Sequence, residues 1–129
     1  MSILGIGIDV VDCSRIEDSI KRFGDRFLQR VFTAGEIAYS QSMKFPARHF
    51  AARFAAKEAL SKAFGTGIGK SMGWRDLDVQ KKPSGEPFVV LSGGAEKMAN
   101  ERGVGKIWIS LSHTDAVGMA TIVLEKLDG

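Results

Sequence analysis

The residues best placed to do chemistry are two carboxylates in apolar company. Residues 3–11 alternate Leu4, Ile6, Ile8 and Val10 against Gly5, Gly7, Asp9 and Val11, which is the period of a β-strand. Asp9 therefore shares a face with two glycines, where another backbone or a ligand can approach closely. A carboxylate in that setting is costly unless something pairs with it; a strand-end cap is the plain alternative. Glu58 lies in the run FAARFAAKEALSKAFGTGIG. At 3.6 residues per turn it falls within about 40° of Ala51, Phe54 and Lys62, on a small-and-aromatic helix face. The plain alternative is a surface pair with Lys62, worth about 0.2–0.5 kcal/mol. One carboxylate on a strand and one on a helix together suit a hard cation, since Mg²⁺ takes one or two carboxylates, several waters and substrate phosphates.

Three further groups of residues could meet an anion. Lys62 offers a compact charge one turn beyond Glu58, suited to a phosphate oxygen. His113 ends a strand after Ser110 and Ser112; it fits a phosphate contact or proton carrier, and equally a partly buried histidine bonded to backbone. Gly65, Gly67 and Gly69 could turn bare amides to an anion, but glycine after a helix is first a stop signal, and no P-loop spacing is present. Arg15, Arg22 and Arg26 line up within about 40° on one helix stripe, with Lys21 and Arg30 nearby. Such a stripe is either a solvated face or a dock for an acidic helix. Arg53 and Lys57, four residues apart, give the Glu58 helix a second charged face.

The elements that must hold these residues are legible in outline. Ser14 and Glu17 form a capping-box pattern that predicts a helix start, with Ile16, Ile20, Phe23 and Phe27 as its apolar stripe. Thr33 and Glu36 repeat the pattern for a helix to about Met43, and Pro46 suits the first turn of a third helix reaching Phe64. Strands follow at Leu77–Lys81 and Phe88–Leu91 around the turn Pro83-Ser84-Gly85. A helix over Gly94–Arg102 and strands over Lys106–His113 and Gly118–Glu125 complete the chain. Helices grouped early and strands late predict one α+β domain with a mainly antiparallel sheet.

Composition bounds the class. The 129 residues, 44% hydrophobic and 26% charged, match an ordinary globular domain, and the net charge of +3 leans mildly towards anionic partners. A single cysteine, Cys13, excludes an internal disulfide and points to a reducing, cytoplasmic setting. The N-terminal MSILGIGIDVV lacks a basic leader and reads as a first strand, and no apolar run is long enough to span a membrane. No aromatic platform or nucleic-acid motif accompanies the arginines, so nucleic acid is not expected as a partner.

GIGIDVVDCSRIE at the start, FAARFAAKEALSKAFGTGIG in the middle and ISLSH near the end resemble the bacterial holo-acyl-carrier-protein synthases, single-domain members of the 4′-phosphopantetheinyl transferase superfamily. The resemblance covers essentially the whole chain in order, including the SGEP turn. It implies a small α+β fold with a long central helix, assembled as a trimer with active sites between subunits. It implies transfer of 4′-phosphopantetheine from coenzyme A to a serine of apo acyl carrier protein, in fatty acid biosynthesis. It makes Asp9 and Glu58 the Mg²⁺ ligands, and Lys62 and His113 contacts of the coenzyme A diphosphate. Arg53 would lie near the 3′-phosphate, with Lys44 and Arg48 as weaker candidates, and Ser84-Gly85 would line the adenine pocket. Arg15, Arg22 and Arg26 would receive the acidic helix of the carrier. Either Glu58 or a water on the metal would take the serine proton. A non-catalytic module binding nucleotides or acidic helices is the rival reading; it gives no reason for Asp9 and Glu58 to occupy apolar faces.

Overall fold

The computed structural model describes residues 2–128. Strand β1 (Ile3–Asp12) runs into helices α1 (Cys13–Phe23), α2 (Asp25–Val31), α3 (Ala34–Gln41) and the long α4 (Pro46–Phe64). A 3-10 turn at Trp74–Asp76 leads to β2 (Leu77–Lys81), β3 (Pro87–Leu91), α5 (Gly93–Glu101), β4 (Val104–His113) and β5 (Val117–Lys126). The strands form one antiparallel sheet in the order β1-β5-β4 and a separate antiparallel pair, β2-β3. This is the α+β architecture expected, with a long helix at its centre. Among the described residues no helix is long and apolar enough to cross a membrane.

Helix α4 organises everything else. Pro46 opens it, and Gly65, at φ 77° in the left-handed region, ends it. Alanines on successive turns let it lie unusually close to the sheet: Ala51, Ala55, Ala56 and Ala59 are all fully buried. The strands meet it with glycine. A Cβ on Gly7 would stand 1.8 Å from the Ala59 carbonyl oxygen, and one on Gly118 would stand 2.3 Å from the Ala52 nitrogen. Those contacts press β1 and β5 against the helix backbone, which larger residues would prevent.

The first helix differs from its sequence reading in two ways. It begins at Cys13 with Asp12 as N-cap and no side-chain capping bond, so the Ser14–Glu17 box does not form. The reason is tertiary: β1 feeds directly into the helix, and the Cys13 N–H donates to the Ala116 carbonyl across the β4–β5 turn. The helix then breaks at Gly24, whose φ of 56° suits glycine, so Arg26 and Phe27 belong to α2. The box at Thr33 and Glu36 forms as expected, with both reciprocal bonds in place.

Glu36 does more than cap. It is fully buried and pairs with buried Lys57 at 2.9 Å, while also accepting from the Val79 N–H at 2.8 Å. Lys57 donates to the Leu77 carbonyl at 2.6 Å. This network ties α3, α4 and β2 together. The second charged face of α4, Arg53 and Lys57, thus lies in the interior. The sheet face turned away from α4 is the opposite case. Ile6, Ile8 and Val10 of β1 are each more than half exposed, and Trp108 of β4, on the same face across β5, is 45% exposed.

Candidate active site

The glycine face of β1 carries Asp9 to the flank of α4. There Lys62 donates to the Asp9 carboxylate at 2.9 Å and to the Ile8 carbonyl at 3.1 Å. The Asp9 side chain is 19% exposed and that of Lys62 53%, so the pair opens to solvent on the lysine side. Glu58 sits half-buried next to them. Burial pushes its carboxyl above the ordinary range, the Asp9 charge pushes it further, and Lys62 and Arg15 pull the other way. Asp9, Glu58, Lys62 and Arg15 thus form one electrostatic cluster, in which the Asp9 charge raises the need of the Glu58 carboxylate for a cation.

A second site lies on the other flank of α4. His49, Arg53, Lys81 and His113 converge on a cavity of about 180 Å³ with Gly85 and Pro87 at its wall. The separation follows from the fold. Asp9 and Leu111 are both in register with Ala120, so β1 and β4 flank β5, about 10 Å apart, with α4 over the helix-facing side. On α4 itself Arg53 and Glu58 are five residues apart, roughly 140° around the helix. The carboxylates and the cationic cavity of one chain therefore face away from each other.

The remaining expected residues fall in different places. Gly85 lines the cavity, while Ser84 is exposed in the turn, its hydroxyl accepting from the Glu86 N–H at 3.4 Å. Lys44 and Arg48 stack on Phe45 and border a different groove, shared with Glu17 and Asp115. Arg15 lies over the Phe54 ring and, with Arg26 and Arg30, edges an apolar groove of about 430 Å³. The floor of that groove is Phe23, Phe27, Phe54 and Trp74. Arg22 stacks on Phe23 beside it. The arginines thus come together from two helices instead of along one stripe.

Sequence reasoning missed His49, Lys81 and the aromatic floor. His49 carries no spacing signal, and Lys81 is a single basic residue at the end of a short strand; only the packing of β2 on α4 brings them together. Trp74 stacks on Phe54 at 4.7 Å across a gap of twenty residues.

Over residues 5–117 the chain matches the family model for the 4′-phosphopantetheinyl transferase superfamily. It is 47% identical to the holo-(acyl-carrier-protein) synthase of Koribacter versatilis over 123 residues, covering 95% of this chain and 98% of that one. Its fold superposes on the crystal structure of the Neisseria meningitidis holo-(acyl-carrier-protein) synthase with a TM-score of 0.89 at 34% identity, covering 97% of this chain and 100% of that one. The Bacillus anthracis synthase, whose crystal structure holds CoA (3′,5′-ADP), superposes with a TM-score of 0.79 at 35% identity, covering 96% and 97%. The chain belongs to the 4′-phosphopantetheinyl transferase superfamily. Within it, the chain is a transferase of the holo-acyl-carrier-protein-synthase type.

Proposed function

We propose that this transferase moves 4′-phosphopantetheine from coenzyme A to a serine of apo acyl carrier protein, supplying fatty acid biosynthesis in the cytoplasm. The serine oxygen attacks the β-phosphorus of coenzyme A; the bond from that phosphorus to the bridging oxygen breaks, and 3′,5′-ADP leaves. The serine proton passes to a carboxylate of the site or to water. The observation that carries the reading is the Asp9–Glu58–Lys62 cluster, which adjoins the basic aromatic groove through Arg15.

The donor set fits a Mg²⁺ ion. Among the described residues no three acidic, histidine or cysteine side chains gather as a complete protein cage. Two carboxylates with an open side match instead a cation that keeps waters and substrate phosphates as its other ligands. Bound by Asp9 and Glu58, the ion would neutralise charge on the diphosphate. Lys62, half exposed, can turn from Asp9 to a phosphate oxygen of the leaving side. Little covalent work remains for the protein beyond positioning.

The groove edged by Arg15, Arg26 and Arg30 suits an acidic amphipathic helix: arginines at the rim steer it, and the aromatic floor takes its apolar residues. Arg15 borders both this groove and Glu58, so a docked carrier would present its serine beside the carboxylates.

A homotrimer with active sites between subunits gains support from two features. The apolar outer face of the sheet asks for a cover. The carboxylates and the cationic cavity lie on opposite flanks of α4, so one coenzyme A spanning both would be held by two adjacent chains.

The test is incubation with apo carrier, coenzyme A and Mg²⁺, read by intact mass. Addition of one phosphopantetheine mass is expected, and Glu58→Gln should abolish it while carrier binding persists. No mass gain across varied metals refutes the reading, and wild-type turnover of Glu58→Gln removes Glu58 from the site.

A further inference from the structure

The floor of the arginine-rimmed groove depends on a short piece of chain with little structure of its own. Trp74 reaches Phe54 from the 3-10 turn Trp74–Asp76, their rings 4.7 Å apart and tilted by 34°, and Arg15 lies over the same Phe54 ring at 5.3 Å. Ahead of the turn, residues 65–73 hold four glycines and no helix or strand. Such a segment does not fix the place of an indole by itself, because its backbone has too many conformations to lose.

Asp76 ties the turn down. Its Oδ2 accepts from the Gly73 N–H at 3.0 Å, closing the turn on itself, and from the Ala95 N–H at 3.2 Å. Its own N–H donates to the Gly73 carbonyl at 3.2 Å, and its carbonyl accepts from the Ser92 N–H at 2.8 Å. Ala95 lies in the first turn of α5, where the N-cap Ser92 makes no side-chain bond, so the Asp76 carboxylate caps that helix from outside it. Two glycines make the room. A Cβ on Gly93 would stand 2.7 Å from Asp76 Oδ1, and one on Gly94 would meet the Ser71 carbonyl oxygen. One half-buried carboxylate thus joins the turn that carries Trp74 to the start of α5.

We propose that Asp76 is a positioning residue for carrier docking: it seats Trp74 on Phe54, and Trp74 takes an apolar side chain of the carrier helix. The inference rests on the reading above that this groove receives that helix. The arginines answer to charge, which any acidic helix offers. The seated indole adds a contact that depends on the size and shape of the apolar residue between the carboxylates. It therefore ranks carriers that the arginines treat alike.

Charge and position predict opposite signs for the loss of Asp76. Removing an acidic residue beside Trp74 makes the groove more positive, which by Coulomb attraction alone would lower KM for an acidic carrier. Releasing the turn lets the indole leave the floor, which raises that KM. The Trp74 contact is apolar, so the rise persists at high salt, where the arginine contribution is screened. Neither the Asp9–Glu58–Lys62 cluster nor the Arg53 cavity includes the turn, so kcat and KM for coenzyme A stay at wild-type values.

The experiment is steady-state transfer to apo carrier protein at low and high salt, with circular dichroism and the indole N–H signals of the full chain by NMR. Trp74→Ala should raise carrier KM by roughly tenfold, and Asp76→Ala by a similar factor. The double variant should be no worse than Trp74→Ala, because the two residues act as one unit. Asp76→Asn, whose amide oxygen can accept both bonds, should recover most of the loss. Where Asp76→Ala does not fold, Asp76→Glu keeps the charge on a side chain too long for the gap at Gly93, and it should raise carrier KM likewise. In each Asp76 variant that raises KM, the Trp74 indole signal, identified by its absence in Trp74→Ala, should move while that of Trp108 stays. A folded Asp76→Ala with unchanged or lowered carrier KM, an additive double variant, or an equal rise in KM for coenzyme A overturns the inference and leaves the transfer reaction standing. Unchanged carrier KM in both Trp74→Ala and Arg26→Ala removes the docking reading beneath it, and no transfer by wild type removes the reaction itself.

Discussion

Gly7→Ala probes whether a backbone contact sets the distance between the two carboxylates. The added Cβ would lie 1.8 Å from the Ala59 carbonyl oxygen, against a practical minimum of 3.0 Å, so β1 and α4 must part by about 1.2 Å (3.0 minus 1.8). The obstacle is main chain and cannot rotate away. Asp9 is two residues along on the same strand face, and Glu58 immediately precedes Ala59, so the separation falls on the pair itself. Overpacking of this kind costs about 1–3 kcal/mol of stability, and a displacement near 1 Å at a reacting centre costs on the order of 100-fold in turnover. The assay is steady-state transfer to apo carrier protein by mass spectrometry, alongside urea unfolding. A large fall in kcat is expected, with much less change in KM for coenzyme A, because the Arg53 cavity lies on the other flank of α4. Gly35→Ala is the control: nothing lies within 4 Å of its Cβ position, and a helical alanine there should be neutral or stabilise by about 0.4–1 kcal/mol. Wild-type kcat and stability in Gly7→Ala would refute the reasoning.

The buried ion pair should respond asymmetrically. Glu36→Ala strands a buried charge on Lys57 and should cost about 3–5 kcal/mol, whereas Lys57→Met leaves Glu36 its bonds from the Thr33 and Val79 N–H groups and should cost less. Urea unfolding at fixed protomer concentration reads the difference, and equal losses would count against it. If the exposed apolar face of β1 holds the proposed homotrimer together, Ile6→Glu should give folded monomers with little transfer activity. Sedimentation at the wild-type mass would contradict that. Arg26→Ala, at the rim of the aromatic groove, should raise KM for the carrier and flatten its salt dependence, while KM for coenzyme A stays put; an unchanged carrier KM argues for docking elsewhere.

What the sequence disclosed and what it hid divide along a physical line. Period and spacing report which residues share a face, and on that point the reading of β1 held: Gly5, Gly7, Asp9 and Val11 do turn to α4 together. Spacing does not report which face is wet. In β1 the large side chains Ile6, Ile8 and Val10 lie outside and the glycines inside, because α4 comes too near for anything larger. In α4 the same ambiguity ran the other way. Arg53 and Lys57 at i and i+4 share a charged face whose surroundings the spacing does not tell, and α3 and β2, which supply Tyr39, Glu36 and the Leu77 carbonyl, cover them. Those covering groups lie more than ten residues away in the chain, beyond the reach of any local pattern. The same holds for the Arg15 groove, since a glycine at positive φ splits the helix and brings Arg26 and Arg30 round on a second one. The faces that Asp9 and Glu58 occupy on their strand and helix are thus readable from local sequence. Groupings that depend on who lies across the fold, His49 with Lys81 and His113 above all, emerge only when the fold closes.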